Sequence, residues 1–283
     1  MRLMIAMAIM GLLGLSAYAA ESKQQEEAKL GLSAGVDYYT DYFWRGSDFY
    51  GENRGVIFPF ANYAFGESGF TIGYLGEYSS EVLGDGASQF EKIWYGADFS
   101  IEYAHSFGKT ATVKAKYIYQ WYYNSAEQNR KQQLNDGYDE SFMTGTVSLT
   151  IDALPLSPTL MYSRDYYVDD YDGRKERGKD YYVQALFKHA LALNEGSTLA
   201  LSGGISYYNM ESAEISSDPG TFKKRGISDV TLAADLSVQK GGATFHGCMN
   251  YAYVPDSDWY RSGPGAKANR HRYWAVMGAS YSL

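Results

Sequence analysis

Twelve ionisable side chains sit inside stretches where every second residue is apolar: Asp37, Asp41, Arg45, Lys92, Asp98, Glu102, Lys114, Lys116, Lys188, Asp229, Asp235 and Arg272. If these stretches are strands, one face of each carries the apolar residues and the other carries the charges. A dry core does not hold such charges unpaired. The chemistry they suit is electrostatic, that of a wet wall which sorts ions and polar solutes by charge. Its sign stays open, because Lys114 and Lys116 favour anions while Asp98 and Glu102 on the preceding stretch offset them. A second arrangement, in which the charges pair and fill a narrow interior, also stays open.

Catalytic chemistry finds less support. A nucleophile needs an oriented base within reach, and the four histidines are scattered at His105, His189, His246 and His271, none within a Ser-bearing motif. His246 falls on the polar face of its stretch; the others fall near stretch ends. No catalytic residue is assigned, and the chain is expected not to be an enzyme. Asp169-Asp170-Tyr171-Asp172-Gly173 offers carboxylates, but the spacing is not that of an EF-hand and Arg174, Lys175 and Arg177 follow at once. That run suits a solvated loop near lipopolysaccharide, as does Lys223-Lys224-Arg225. Gly84-Asp85-Gly86 is a turn without the strand-to-helix setting of a phosphate cradle. No metal or cofactor is implied.

The elements that would position the charges are strands. Over 92–105, Ile93, Tyr95, Ala97, Phe99, Ile101 and Tyr103 share one face, opposite Lys92, Trp94, Gly96, Asp98, Ser100 and Glu102. Helical spacing would set Asp98 and Glu102 beside Ile101, so a strand is the better solution. The same alternation predicts strands over 31–45, 56–65, 70–78, 92–105, 110–123, 142–152, 156–166, 180–191, 198–208, 228–239, 243–254 and 272–283. Between them, short connectors at 66–68, 106–109, 152–155, 192–196 and 240–242 alternate with longer polar ones at 46–54, 79–91, 124–139, 167–179, 209–225 and 255–270. Long loops at one end and tight turns at the other are the signature of an antiparallel transmembrane β-barrel of about twelve strands. Twelve strands close at a backbone diameter of roughly 25 Å, leaving an aqueous lumen of about 10 to 15 Å after side chains. The loops 167–179 and 209–225 are candidate constrictions.

Composition agrees. Of 283 residues, 45% are hydrophobic and 20% charged, which excludes disorder, and 28 Tyr, 13 Phe and five Trp supply rings suited to the boundary between lipid and water. Tyr42 and Trp44, Tyr119, Trp121 and Tyr123, and Tyr251 and Tyr253 are expected in such a girdle. Residues 1–19 have a basic start at Arg2, an apolar run over 3–15 and Ala17-Tyr18-Ala19, the pattern of a cleaved signal peptide. Residues 20–29 would be a short periplasmic lead-in and 30–283 the barrel, with both mature termini periplasmic. Beyond the signal no apolar run is long enough for a transmembrane helix, and mean hydropathy is −0.37. Loss of Arg2 leaves 24 Lys and Arg against 33 Asp and Glu, a net charge of −9, which excludes a nucleic-acid partner. Lone Cys248 excludes an intramolecular disulfide. A soluble β-sandwich shares the alternation but would have to hide the tyrosines.

Two resemblances follow from these residues. Tyr273, Ala275, Met277, Ala279, Tyr281 and Leu283 share one face of a terminal strand, which resembles the assembly signal of bacterial outer-membrane proteins, with Leu283 in place of the usual Phe. The resemblance implies recognition by the barrel assembly machinery. Thr40-Asp41-Tyr42-Phe43-Trp44-Arg45-Gly46 resembles the first-strand Ser-Asp-Tyr-x-Phe-Arg-Gly pattern of the TorF-type porin family, with Thr40 for Ser and Trp44 for Phe. That family implies a channel with no established substrate. The expectation is therefore an integral outer-membrane barrel, in contact with lipid and lipopolysaccharide, that passes small hydrophilic solutes or ions by passive diffusion. A non-conducting adhesin or structural barrel acting through its loops is the alternative, and an outer-membrane hydrolase a weaker one.

Overall fold

A computed structural model describes residues 31–44, 47–48, 55–80, 93–123, 139–169, 180–209, 225–255 and 270–283. The expected signal peptide and lead-in lie outside the described residues. The strands are β1 (Leu32–Tyr39), β2 (Val56–Ala64), β3 (Phe70–Ser80), β4 (Ile93–Phe107), β5 (Ala111–Tyr123), β6 (Asp139–Thr150), β7 (Thr159–Asp169), β8 (Tyr181–Asn194), β9 (Ser197–Asn209), β10 (Arg225–Lys240), β11 (Ala243–Tyr253) and β12 (His271–Ser282). Each pairs antiparallel with the next, and β1 pairs with β12, so the sheet closes on itself. At the seam Ser33 stands opposite Ser282 and Tyr39 opposite Val276.

All twelve expected strands are present; several ends shift by up to three residues, β6 starting at Asp139, β8 running to Asn194 and β10 starting at Arg225, and two further corrections have a local cause. The first was expected to continue through Arg45, but β1 stops at Tyr39; the chain bends at Thr40 and Asp41 and then forms a two-residue hairpin, Phe43–Trp44 against Ser47–Asp48. The seventh was expected from residue 156, but β7 starts at Thr159. Pro155 and Pro158 have no N–H to give a ladder, and Leu156 and Ser157 adopt positive φ of 66° and 36°. The two-residue turns β8–β9 and β10–β11 place Gly196 (φ 84°) and Gly241 (φ 61°) in the left-handed region, where a side chain is costly.

The two faces separate as the alternation requires. Phe99, Ile101, Val147, Leu160, Phe187, Leu232, Phe245, Met249 and Met277 point outward and are exposed, Leu232 by 57% and Met249 by 63%. An apolar surface spread over the whole circumference is incompatible with water and suited to hydrocarbon. Aromatic contacts mark its two edges. Toward the short turns Phe70 packs on Tyr103 (4.8 Å) and Tyr63 on Phe65 (4.9 Å). Toward the long connections Tyr181 lies between Tyr162 (6.1 Å) and Tyr207 (6.2 Å), and the Tyr251 hydroxyl is 2.9 Å from His271 Nδ1. Tyr42 is not part of this girdle, because the bend after β1 turns it inward onto Phe58, which is 3% exposed.

Leu232 and Ala233 are neighbours at mid-strand on opposite faces, which gives a direct test of the lipid face. Leu232→Lys is expected to destabilise the barrel in phospholipid vesicles by about 2–4 kcal/mol, and Ala233→Lys by less than about 1 kcal/mol, both read from urea unfolding. Equal losses would contradict the assignment of faces.

Candidate functional site

The inward faces of the strands make up the site. Asp37 lies there on β1, Asp98 and Glu102 on β4, Lys114 and Lys116 on β5, Lys188 on β8, Asp229 and Asp235 on β10, and Arg272 on β12, each at the parity opposite the exposed apolar residues. Asp41 is buried at the bend after β1, 8% exposed. Arg45 and Lys92 lie outside the described residues. The same holds for most of the two loops expected to constrict the lumen and for the motifs at 84–86 and 170–173.

The structure gathers seven of these charges, Asp37, Asp98, Glu102, Lys114, Lys116, Asp229 and Asp235, into three groups. In the first, Asp37 on β1 and His246 on β11 flank Gly278 of β12 in register, and the carboxylate Oδ1 lies 3.0 Å from His246 Nε2 across the intervening strand. Asp235 Oδ1 on β10 stands 3.7 Å from the other ring nitrogen, so the histidine bridges two carboxylates. Gly278 makes the contact possible: a Cβ there would lie 2.0 Å from Asp37 Oδ1 and 2.3 Å from His246 Nε2.

A second group runs round the wall as a polar belt. Gln120 Nε2 donates to Asp98 Oδ2 (3.4 Å), and Thr144 Oγ1 donates to Asp165 Oδ1 (2.9 Å) while lying 3.3 Å from Gln120 Oε1. The Tyr208 hydroxyl donates to the other Asp165 oxygen at 3.4 Å. Beside it, Ser206 Oγ accepts from Tyr182 (2.7 Å) and Gln184 (3.1 Å) and donates to Asp229 (2.9 Å). A register shift between β9 and β10 inserts Ser228, whose hydroxyl donates to the second Asp229 oxygen at 2.7 Å. Asp229 thus meets two hydroxyl donors where it is buried, and accepting them offsets the cost of taking a carboxylate from water.

The third group lies toward the short turns. Lys114 Nζ is 3.3 Å from Glu102 Oε1, with about half of the Lys114 side chain exposed. A polar recess of about 390 Å³ opens beside it, lined by Ser33, Asn62, Thr71, Ser100, Glu102 and Lys116. Here charge faces a space wide enough for water and small polar groups.

Sequence reasoning passed over Glu77, Asp165 and Asp180, all deeply buried. Glu77 and Asp165 were findable by parity, since each falls on the face opposite exposed Tyr78 and Tyr166. His246 was placed on the inward face, and only the register shows its two carboxylate neighbours.

No family model matches the chain, and no curated protein matches it. Among solved structures it is similar to the NanC porin, with a TM-score of 0.52 and 14% identity over 89% of this chain and 100% of that one. It is also similar to the KdgM porin in complex with disordered oligogalacturonate, with a TM-score of 0.50 and 10% identity over 89% of this chain and 99% of that one. At these identities the likeness is one of fold.

Gly278→Ala should force the Asp37–His246 pair apart and cost about 1 kcal/mol in urea unfolding. Gly247→Ala, where nothing lies within 4 Å of the added carbon, should be neutral. In a His246→Ala background the Gly278→Ala cost should vanish. Persistence there would mean that the glycine serves some other contact.

Proposed function

We propose that this chain is an integral outer-membrane channel for passive diffusion of small hydrophilic solutes or ions, filtered by charges on the lumen wall. The observation that carries the reading is the division of faces: apolar residues are exposed all round the outside, while carboxylates, lysines, amides and hydroxyls line the inside. The polar recess lined by Glu102 and Lys116 agrees with a wall that faces water. The residues proposed to line the path are Asp37, Asp41, Arg45, Lys92, Asp98, Glu102, Lys114, Lys116, Lys188, Asp229, Asp235 and Arg272.

The long connections are taken to face outside and the tight turns the periplasm, which puts both termini of the barrel on the periplasmic side. The edge aromatics and outward Arg164, which stacks its guanidinium 5.3 Å from the Tyr166 ring, suit contact with lipid headgroups and lipopolysaccharide phosphates. Alternate residues of β12 would carry the signal for the barrel assembly machinery. Within the porin class, the match of Asp41, Tyr42, Arg45 and Gly46 supports membership of the TorF-type family.

One observation favours the second reading, a closed barrel acting through its loops. Phe43 packs against the inward cluster that Tyr182, Tyr208 and Val254 form, and the carboxylates nearest that end are buried. Recordings from the refolded barrel in planar bilayers decide between them. Discrete steps are expected, and in a salt gradient Lys114→Gln with Lys116→Gln should move the reversal potential toward cation preference. An unchanged potential removes the lysines from the filter, and a folded, heat-modifiable barrel without steps removes the channel.

A further inference from the structure

The chain after β1 breaks the otherwise regular wall. Thr40 is still fastened to β12: its N–H donates to Ala275 O and its Oγ1 accepts from Ala275 N, both at 2.9 Å. The backbone then bends, and the next two aromatic side chains go to different parts of the ring. Tyr42 lies 5.9 Å from the Tyr39 ring and 5.0 Å from that of Phe58, within a cluster that includes Val56 and Leu75. Phe43 packs against the cluster of Tyr182, Tyr208 and Val254 and lies 5.3 Å from the Trp274 ring. In the order of the barrel, β2, which carries Phe58, and β8, which carries Tyr182, are six strands apart in a ring of twelve. Tyr42 therefore packs toward β2, while Phe43 lies beside β12 and against a cluster that reaches from the end of β11 to β8 on the far side of the ring.

Both anchorages are clusters of side chains buried on the inward face, and in the second the tyrosine rings pack while their hydroxyls bind Ser206 and Asp165. Phe58 is 3% exposed, Tyr182 5% and Tyr208 7%. Inward apolar side chains that met only lumen water would gain nothing from facing it; here they are covered by Tyr42 and Phe43, so burial holds the segment in place.

We infer that residues 40–43 form an internal brace across the lumen, and that Tyr42 and Phe43 set the largest solute the path admits. The inference rests on the channel reading for its consequence on solutes, but its geometry can be tested separately. Cys248 provides the means. It points inward at mid-strand on β11, below Val254 on the same wall, so a reagent entering from the long-connection end passes the brace first.

The experiment compares the wild type, Tyr42→Ala with Phe43→Ala, Phe43→Leu and Phe43→Trp. Two readouts are taken: single-channel conductance in planar bilayers, and modification of Cys248 by a small charged methanethiosulfonate added outside cells that lack their general porins. Heat-modifiability on gels establishes that each barrel has folded. The double alanine variant should raise conductance about twofold or more and label Cys248 about tenfold faster. Phe43→Leu should shift both modestly upward and Phe43→Trp downward. Faster labelling without conductance in any protein would uphold the brace while overturning the channel. Unchanged labelling and unchanged conductance in a folded double variant would overturn the brace whether or not the wild type conducts. If the double variant does not fold, the leucine and tryptophan variants decide, and equal values in both would overturn it.

Discussion

Closure of β1 onto β12 is the constraint from which the rest of this structure follows. In hydrocarbon an unpaired backbone N–H or C=O costs several kcal/mol, and a sheet escapes that cost only by having no edge. The seam is complete to its ends here: Leu283 N donates to Leu32 O at 2.9 Å, and the last rung at the other end is Thr40 with Ala275. Once the ring is closed, each strand has a lipid side and a lumen side, and a period of two assigns every side chain to one or the other. The charges collect inside because the outside offers them no solvation.

Inside, the wall has two characters along its length. Toward the tight turns the charged groups face open space, and Lys114 with Glu102 form a partly hydrated pair of modest energetic weight. Toward the long connections carboxylates are buried and fastened by neutral donors: two serines for Asp229, a threonine and a tyrosine for Asp165. Hydroxyl donors offset part of the cost of burying a carboxylate without bringing in a counter-charge. The register shift at Ser228 is part of this arrangement, since the extra residue supplies the second donor to Asp229.

The strand order and the two faces were legible from alternation because the lipid face tolerates almost no exception. Phe99 or Leu232 can be assigned outward from its neighbours alone. The residues that stayed hidden are those whose placement depends on the third dimension. Alternation in Tyr39, Asp41 and Phe43 continues past the end of β1, so nothing in the pattern says that the chain leaves the wall at Thr40 and carries Tyr42 and Phe43 across the lumen. The partnership of Asp37 with His246 was equally invisible, because the two belong to strands separated by a third and meet over a glycine. Pro155 and Pro158 did carry a readable signal for the late start of β7, and alternation alone overrode it.

That glycine also resolves an ambiguity that a barrel cannot settle by hydrophobicity. A slip of one residue at the seam would turn lipid-facing side chains into the lumen and is strongly opposed, but a slip of two restores both faces and loses little apolar burial. With such a slip Asp37 would face Val276 or Ser280 while His246 stayed opposite Gly278, so the two side chains would stand two residues out of line across β12. Asp37 and His246 are 209 residues apart in the chain, so the contact forms only when the first strand meets the last ones. Gly278 therefore acts as a key for joining the two ends of the sheet: of the pairings that parity permits, only one lets this contact close.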